Sequence, residues 1–370
     1  MRADRVGLYV HIPFCVRKCN YCDFCSFSDI SQEQRELYIT RLCEEIKSYK
    51  KEPRTSVSTV FFGGGTPSLL EPCELSKICD AIYDSFLVCE GAEFTVEVNP
   101  KTLNAEKCRA YKKLGVNRIS IGLQSIHENE LKKLGRIHTF SDFLDSYRLA
   151  SEYFDNISVD LMYGIPEQTK ASLEATLDTV LALEPKHISA YGLIVEEGTP
   201  FYKMRRSLPL PTEDEEYEMY LLIAEKLLRS GYSHYEISNY AKAGYKCRHN
   251  LIYWRDEQYI GVGLAAASYF GERFINTKNL DEYLYSSGAN YNREYEIPDC
   301  KTEYIMLNLR LSDGISLTQY MERFGEDFLL TRSAVVEKFK KHGYLECDSD
   351  RLSLTEKGFY VSNSIISELI

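Results

Sequence analysis

Gly7-Leu-Tyr9-Val-His-Ile12-Pro-Phe-Cys15-Val-Arg-Lys-Cys19-Asn-Tyr-Cys22 runs an apolar, strand-like segment directly into three cysteines. Three thiolates spaced C-x3-C-x2-C can hold three irons of a [4Fe–4S] cluster and leave the fourth iron free. The amino and carboxylate groups of S-adenosylmethionine (SAM) can chelate an iron left open in this way. A disulfide framework belongs to short secreted chains, whereas this one has 370 residues, with most of its 12 cysteines scattered singly through helical patterns. A zinc knuckle would need a second closely spaced pair; Cys25 is a spare thiol, but no such pair follows it.

Outward from this stretch, short apolar runs alternate with longer amphipathic ones as far as about residue 195, the pattern of βα units around a parallel sheet. Strands are expected at Gly7 to Ile12, Val57 to Phe62, Phe94 to Val98, Arg118 to Gly122, Ile157 to Tyr163 and His187 to Leu193. Helices are expected at Gln32 to Tyr49, Pro72 to Leu87, Ala105 to Leu114, Phe140 to Tyr153 and Ala171 to Leu183. Periodicity alone allows either a doubly wound sheet or an incomplete (β/α)6 barrel. Polar residues cluster just past the strand ends, at Gly63-Gly-Gly-Thr-Pro-Ser68, Glu97-Val-Asn-Pro100, Gln124-Ser125 and Asp160-Leu-Met-Tyr-Gly-Ile-Pro166. In a barrel those ends would converge on one mouth.

Glycines 63 to 65 let a backbone without Cβ atoms approach a ligand and offer it N–H groups. Glu97, Gln124, Arg136 and Asp160 together supply acceptors for an amino group and hydroxyls and a cation for a carboxylate, which are the partners SAM requires. The text turns Pro-rich and acidic near Leu208 to Thr212, and an amphipathic helix follows from Glu213 to Ser230. After Pro298, two or three helices and a hairpin near Asp348 to Arg351 suggest a small winged-helix-like domain. The expected organisation is a core over residues 1–210, a connecting, substrate-associated region over 211–297 and a C-terminal domain over 298–370.

Lys and Arg total 44 against 55 Asp and Glu, a net charge of −11 that disfavours non-specific binding to nucleic acid. No stretch approaches the roughly 18 apolar residues of a membrane helix and no targeting pattern precedes the cysteines, so a cytoplasmic protein without an integral membrane segment is expected.

These motifs, with Ser120-Ile-Gly-Leu-Gln-Ser125, Leu134-Gly-Arg-Ile-His138 and His249-Asn-Leu-Ile-Tyr-Trp254, resemble the radical SAM family of oxygen-independent coproporphyrinogen III oxidases and the related heme chaperones of the HemW type. The resemblance covers nearly the whole chain and implies an incomplete (β/α)6 barrel of the triose-phosphate-isomerase type with a smaller C-terminal α+β domain. It implies that Cys15, Cys19 and Cys22 hold the cluster and that Tyr9, Gly64, Gly65, Thr66, Glu97, Gln124, Arg136 and Asp160 surround SAM. It further implies an electron donor to the cluster, and it leaves homodimerisation open.

Two features favour the chaperone branch: the first strand begins within about seven residues of Met1, and Phe24 stands where the oxidases tend to place a fourth cysteine. The His249-to-Trp254 run also looks like that branch's signature, with His249 as a candidate heme ligand or propionate partner and Tyr253 and Trp254 as candidate stacking surfaces. The chain departs from the branch at Leu264-Ala-Ala-Ala-Ser268, where relatives often carry a histidine. The expected function is binding heme and passing it to acceptor proteins. The alternative is oxidative decarboxylation of coproporphyrinogen III propionates.

Overall fold

The computed structural model describes residues 6–286 and 291–370. Six parallel strands succeed one another in chain order: β1 (Val6–Ile12), β2 (Ser56–Gly64), β3 (Leu87–Val98), β4 (Arg118–Gln124), β5 (Asn156–Tyr163) and β6 (His187–Gly192). Between them run helices Gln32–Ser48, Pro72–Ser85, Ala105–Lys113, Phe140–Ser151 and Lys170–Leu181, so the sheet has the expected architecture of an open (β/α)6 barrel. Side-chain caps start most of these helices: Ser31, Thr139 and Thr169 each accept from the third backbone N–H beyond them and close a capping box. Leu8, Val10, Val60, Phe62, Val96, Ile119, Ile121 and Val159 are buried in one core with helical residues such as Leu42, Ile78 and Leu177.

The 211–297 segment supplies strands to both edges of this sheet. β7 (Ser233–Glu236) and β8 (Asn239–Ala241) form an antiparallel pair beside β6. β9 (Tyr259–Val262) runs parallel to β1 on the far side and is followed outward by antiparallel β10 (Ala267–Phe270), β11 (Glu272–Asn276) and β12 (Arg293–Glu296), completing a twelve-stranded sheet. Beyond it, helices at Cys300–Asn308, Leu317–Phe324, Phe328–Lys341, Glu356–Tyr360 and Ser362–Leu369 pack with a three-stranded sheet, β13 (Ile315–Ser316), β14 (Leu345–Cys347) and β15 (Arg351–Leu354). This small unit has its own core around Ile305, Tyr320, Leu352 and Ile365, and the expected hairpin is the β14–β15 turn. It meets the main sheet where His234 of β7 bonds the Glu356 carboxylate at 2.9 Å, stacks on Tyr240 and packs against the tilted ring of Phe359.

The helix Arg248–Trp254 closes the barrel from below. Its contacts fall on the early part of the strands: His249 Nδ1 lies 2.8 Å from Thr59 Oγ1, and the Arg248 guanidinium donates to the carbonyls of Ser58 and Gly91. Glu93 fixes its N-terminus, accepting from the backbone N–H groups of Arg248 (3.0 Å) and His249 (2.9 Å). Gly7 makes room for it, because a Cβ there would stand 2.9 Å from Ile252 Cδ1. Among the described residues, no helix is long and apolar enough to cross a membrane.

Candidate functional site

A cavity of about 550 Å³ fills the barrel from the strand ends down to the Arg248–Trp254 helix. Its wall contains Tyr9, Cys15, Cys19, Cys22, Gly64, Gly65, Thr66, Glu97, Gln124, Arg136, Asp160, His249 and Tyr253, which is every expected site residue except Trp254.

The segment after β1 is folded back on itself by the bonds Cys15 N–H to Phe27 O (2.9 Å) and Phe27 N–H to Pro13 O (2.8 Å). Asn20 ties it to the helix Glu128–Lys133 and the turn beyond, donating its side chain to Lys133 O and its backbone N–H to Leu134 O. The three cysteines it presents are free thiols. Thr66 Oγ1 donates to Cys15 Sγ (3.7 Å) and is itself held by Asn99, and Arg136 Nη1 donates to Cys19 Sγ (3.6 Å). Burial pushes the Cys15 thiol up and that of Cys22 up to about 11, so a cationic centre must supply the charge that ionises them. Thiolates on a cluster each take a different iron and stand farther apart than ligands of one ion. Among the described residues no three His, Cys, Asp or Glu side chains converge on a single-ion site. Cys25 lies outside the cavity wall, and its carbonyl accepts from His11 Nε2 at 2.8 Å.

Glu97 and Asp160 share the wall, near enough for the charge of one to act on the other. Desolvation, and then the Asp160 charge, push the Glu97 carboxyl up to about 8. Desolvation also raises Asp160, against the hydroxyls of Ser120 (3.0 and 3.1 Å), Ser158 and Ser189 and the Arg118 charge, which favour its ionised form. Two recessed acceptors of this kind suit a ligand that brings an amino group or hydroxyls. The glycine run works differently from the expectation that it offers free N–H groups. The Gly64 N–H donates to Glu97 Oε2 (3.2 Å) and that of Gly65 to Ile12 O (2.8 Å), so the run contributes space and a fold. Gly64 has φ +108°, and a Cβ there would collide with the His11 ring at 2.5 Å. Arg136 Nη2 is spent on Asn99 Oδ1 (2.7 Å) and Gly122 O (2.8 Å), while its buried Nε lacks a partner among the described residues. These groups fit a cluster with a small amino-acid-bearing ligand beside it: free thiols at the mouth, an arginine alongside, and carboxylates below.

The expected heme residues separate. His249 is buried with both ring nitrogens engaged, Nδ1 by Thr59 and Nε2 by the Tyr253 hydroxyl (2.8 Å), and it stacks on Phe61. Burial, helped by the Arg118 charge, lowers its pKa to about 3, so the ring is neutral. Iron ligation would first have to break one of those two bonds. Trp254 points away from the cavity into a cluster with Tyr235, Cys247, Leu251 and Leu311, with Arg310 above its ring, and cannot stack on a ligand in the barrel.

Arg118, Asn99, Ser189 and Tyr191 also line the cavity and were not anticipated. Strand alternation carried the signal: Arg118, Ser120, Gly122 and Gln124 share one face of β4, as Glu97 and Asn99 share one line running off the end of β3.

The radical SAM superfamily pattern matches residues 9–180, and the HemN C-terminal domain pattern matches residues 301–361. The heme chaperone HemW of Bacillus subtilis is 36% identical over 98% of this chain and 98% of its own length. That of Escherichia coli is 33% identical over 98% and 97% respectively. The coproporphyrinogen III oxidase HemN of Escherichia coli, described as a radical SAM enzyme, superposes with a TM-score of 0.84 over 99% of this chain and 90% of its own, at 22% identity.

Proposed function

Because the chain belongs to the radical SAM family, in the branch of the relatives named heme chaperone HemW, we propose that it binds heme in the cytoplasm and delivers it to acceptor proteins while carrying a [4Fe–4S] cluster and SAM. The observation that carries this reading is identity of 32–36% to relatives of that name over at least 96% of both chains, with the cysteines and strand-end polar residues gathered on one cavity.

In this reading Cys15, Cys19 and Cys22 hold the cluster, with Thr66 and Arg136 orienting the first two thiolates and offsetting their charge. The cluster, when bound, supplies an electron beside the sulfonium of SAM. Gly64, Gly65 and Tyr9 border the ligand closely, Glu97 and Asp160 accept from its amino and hydroxyl groups, and Gln124 offers an amide. The neutral His249, held by Thr59 and Tyr253, shapes the base of the cavity without adding a charge to it.

Anaerobically reconstituted protein should bind one equivalent of hemin, seen as a shifted Soret band, and should release it to an apo-heme acceptor. The same preparation, given coproporphyrinogen III, SAM and a reductant, should form no protoporphyrinogen IX by chromatography. Repeated turnover would replace the carrier reading with that of a dehydrogenase, and absence of both hemin binding and turnover would refute the proposal.

A further inference from the structure

Large apolar side chains are exposed in one place where burial would be expected. Phe24 (62% exposed) and Ile194 (68%) border the mouth of the barrel cavity together with the exposed Tyr191. Val16 and Ile137, also exposed, border a small cleft alongside that shares Cys19, Thr66 and Arg136 with it. Among the described residues, three of the sixteen large hydrophobics left in solvent therefore border the mouth itself and two more border the cleft beside it, a local concentration of exposed apolar surface. They come from separate segments, Val16 and Phe24 from the cysteine loop after β1 and Tyr191 and Ile194 from the end of β6, so they frame a slot and do not form a plateau.

Charge at this rim is uneven. Arg17 and Lys18 are exposed on the cysteine loop, and Lys18 Nζ donates to the carbonyl of Phe24 at 2.9 Å, which seats a cation against the apolar ring. Asp23 and Glu196 also border the opening. Of the four cationic side chains that border the cavity, Arg118 is buried and Arg136 half-buried, so Arg17 and Lys18 are the exposed ones at its mouth and the local place for carboxylates. Below the rim the wall turns polar at Glu97 and Asp160, and the base is closed by His249, whose nitrogens are both engaged.

We propose that the rim formed by Phe24, Tyr191 and Ile194 is the docking site for the flat face of a metalloporphyrin, with Arg17 and Lys18 receiving its propionates, above the SAM-binding wall. The assignment rests on the carrier reading. It places the macrocycle at the mouth and leaves the His249-to-Trp254 helix as the barrel's closure. A flat, mostly apolar dicarboxylate is the chemistry that matches apolar side chains from two loops around one opening with a cationic flank.

The test compares full-length, cluster-loaded protein with Phe24→Ser/Ile194→Ser, Arg17→Gln/Lys18→Gln and His249→Gln, using hemin as the probe and SAM affinity and circular dichroism as controls. The apolar double variant should weaken hemin binding by roughly tenfold or more, the loss of two exposed apolar contacts, with SAM affinity unchanged. The cation variant should reduce the salt dependence of hemin binding. Zinc protoporphyrin, bound as tightly as hemin, would support recognition of the macrocycle's face. Hemin affinity unchanged in both rim variants, or abolished by His249→Gln while they retain it, would overturn the assignment and leave the carrier reading standing. If the unaltered protein binds no hemin, the carrier reading fails first. Rim variants that keep hemin but no longer accept electrons from a reducing protein would show that the surface docks a protein and would likewise overturn the proposal.

Discussion

Glu97→Gln should make the protein more stable and less able to bind SAM, with both effects set by pH. In the folded chain desolvation and the neighbouring Asp160 carry the Glu97 carboxyl from 4.5 up to about 8. The folded state therefore holds a proton that the unfolded chain releases between those values. The contribution of Glu97 to stability is most favourable at or below pH 4.5, falls as pH rises towards 8, and above that carries the full cost of a buried charge. At about 1.4 kcal/mol for each pH unit separating the two values, that cost is on the order of 5 kcal/mol, part of it shared with Asp160. Glutamine keeps the shape and removes the ionisation, so the denaturation midpoint of Glu97→Gln should match the unaltered protein near pH 5 and exceed it by several degrees at pH 8.5. SAM brings an amino group that favours the ionised carboxylate, so its binding to the unaltered protein near pH 7 should release a proton. Calorimetry in two buffers of different ionisation enthalpy counts the protons released, and Glu97→Gln should release about one fewer than the unaltered protein, since any proton the SAM amino group gives up on chelating iron is common to both, and should lose much of the affinity. A stability difference of the same size at pH 5 and 8.5, or the same proton release on SAM binding by Glu97→Gln and the unaltered protein, would refute the assignment.

Replacing Cys15, Cys19 or Cys22 singly by alanine should abolish the four-iron electron paramagnetic resonance signal of the reduced protein, whereas Cys25→Ala should retain it, because the first three thiols line the cavity and Cys25 does not. Glu93→Ala leaves the N–H groups of Arg248 and His249 unpaired at the base of the barrel and should cost about 2–4 kcal/mol in denaturant melts. The emission of Trp254, the one tryptophan of the chain, should shift as that helix loosens. Glu356→Ala removes the partner of His234 between the sheet and the C-terminal unit and should speed limited proteolysis beyond residue 297 while the barrel resists. Equal cleavage rates would assign that contact no role in docking.

The six parallel strands were legible because each is a short apolar run bounded by polar strand-end motifs, and apart from the start of β3 the structure leaves their limits in place or moves them by one or two residues. β3 starts earlier than expected, at Leu87, because the polar Glu90-Gly91 stretch interrupts the apolar pattern while the pairing with β2 continues through a register shift. The segment after residue 230 was harder to place, since strands of three to five residues carry too little periodicity to reveal which edge of a sheet they join. Within the site, the thiols and strand-end acids declare themselves by type and position. Arg118 was hidden by its place at the start of a strand, although it shares a face with Gln124. The grouping of Trp254 with His249 and Tyr253 overlooked helix geometry. His249 and Tyr253 are four residues apart and share a face, whereas Trp254 is five from His249 and turns onto another side, towards Leu311.

The helix that Glu93 fastens under the strands also gives the cavity a direction. With its base closed by His249 and Tyr253, the barrel works as a well with one end, and traffic through it is ordered. What binds the deep wall at Glu97 and Asp160 must arrive before anything settles on the rim, and it must wait for the rim to clear before it can leave. A ligand at the mouth would then slow the escape of the one beneath it without touching its binding groups, so that residence time in the well would be set by the last arrival.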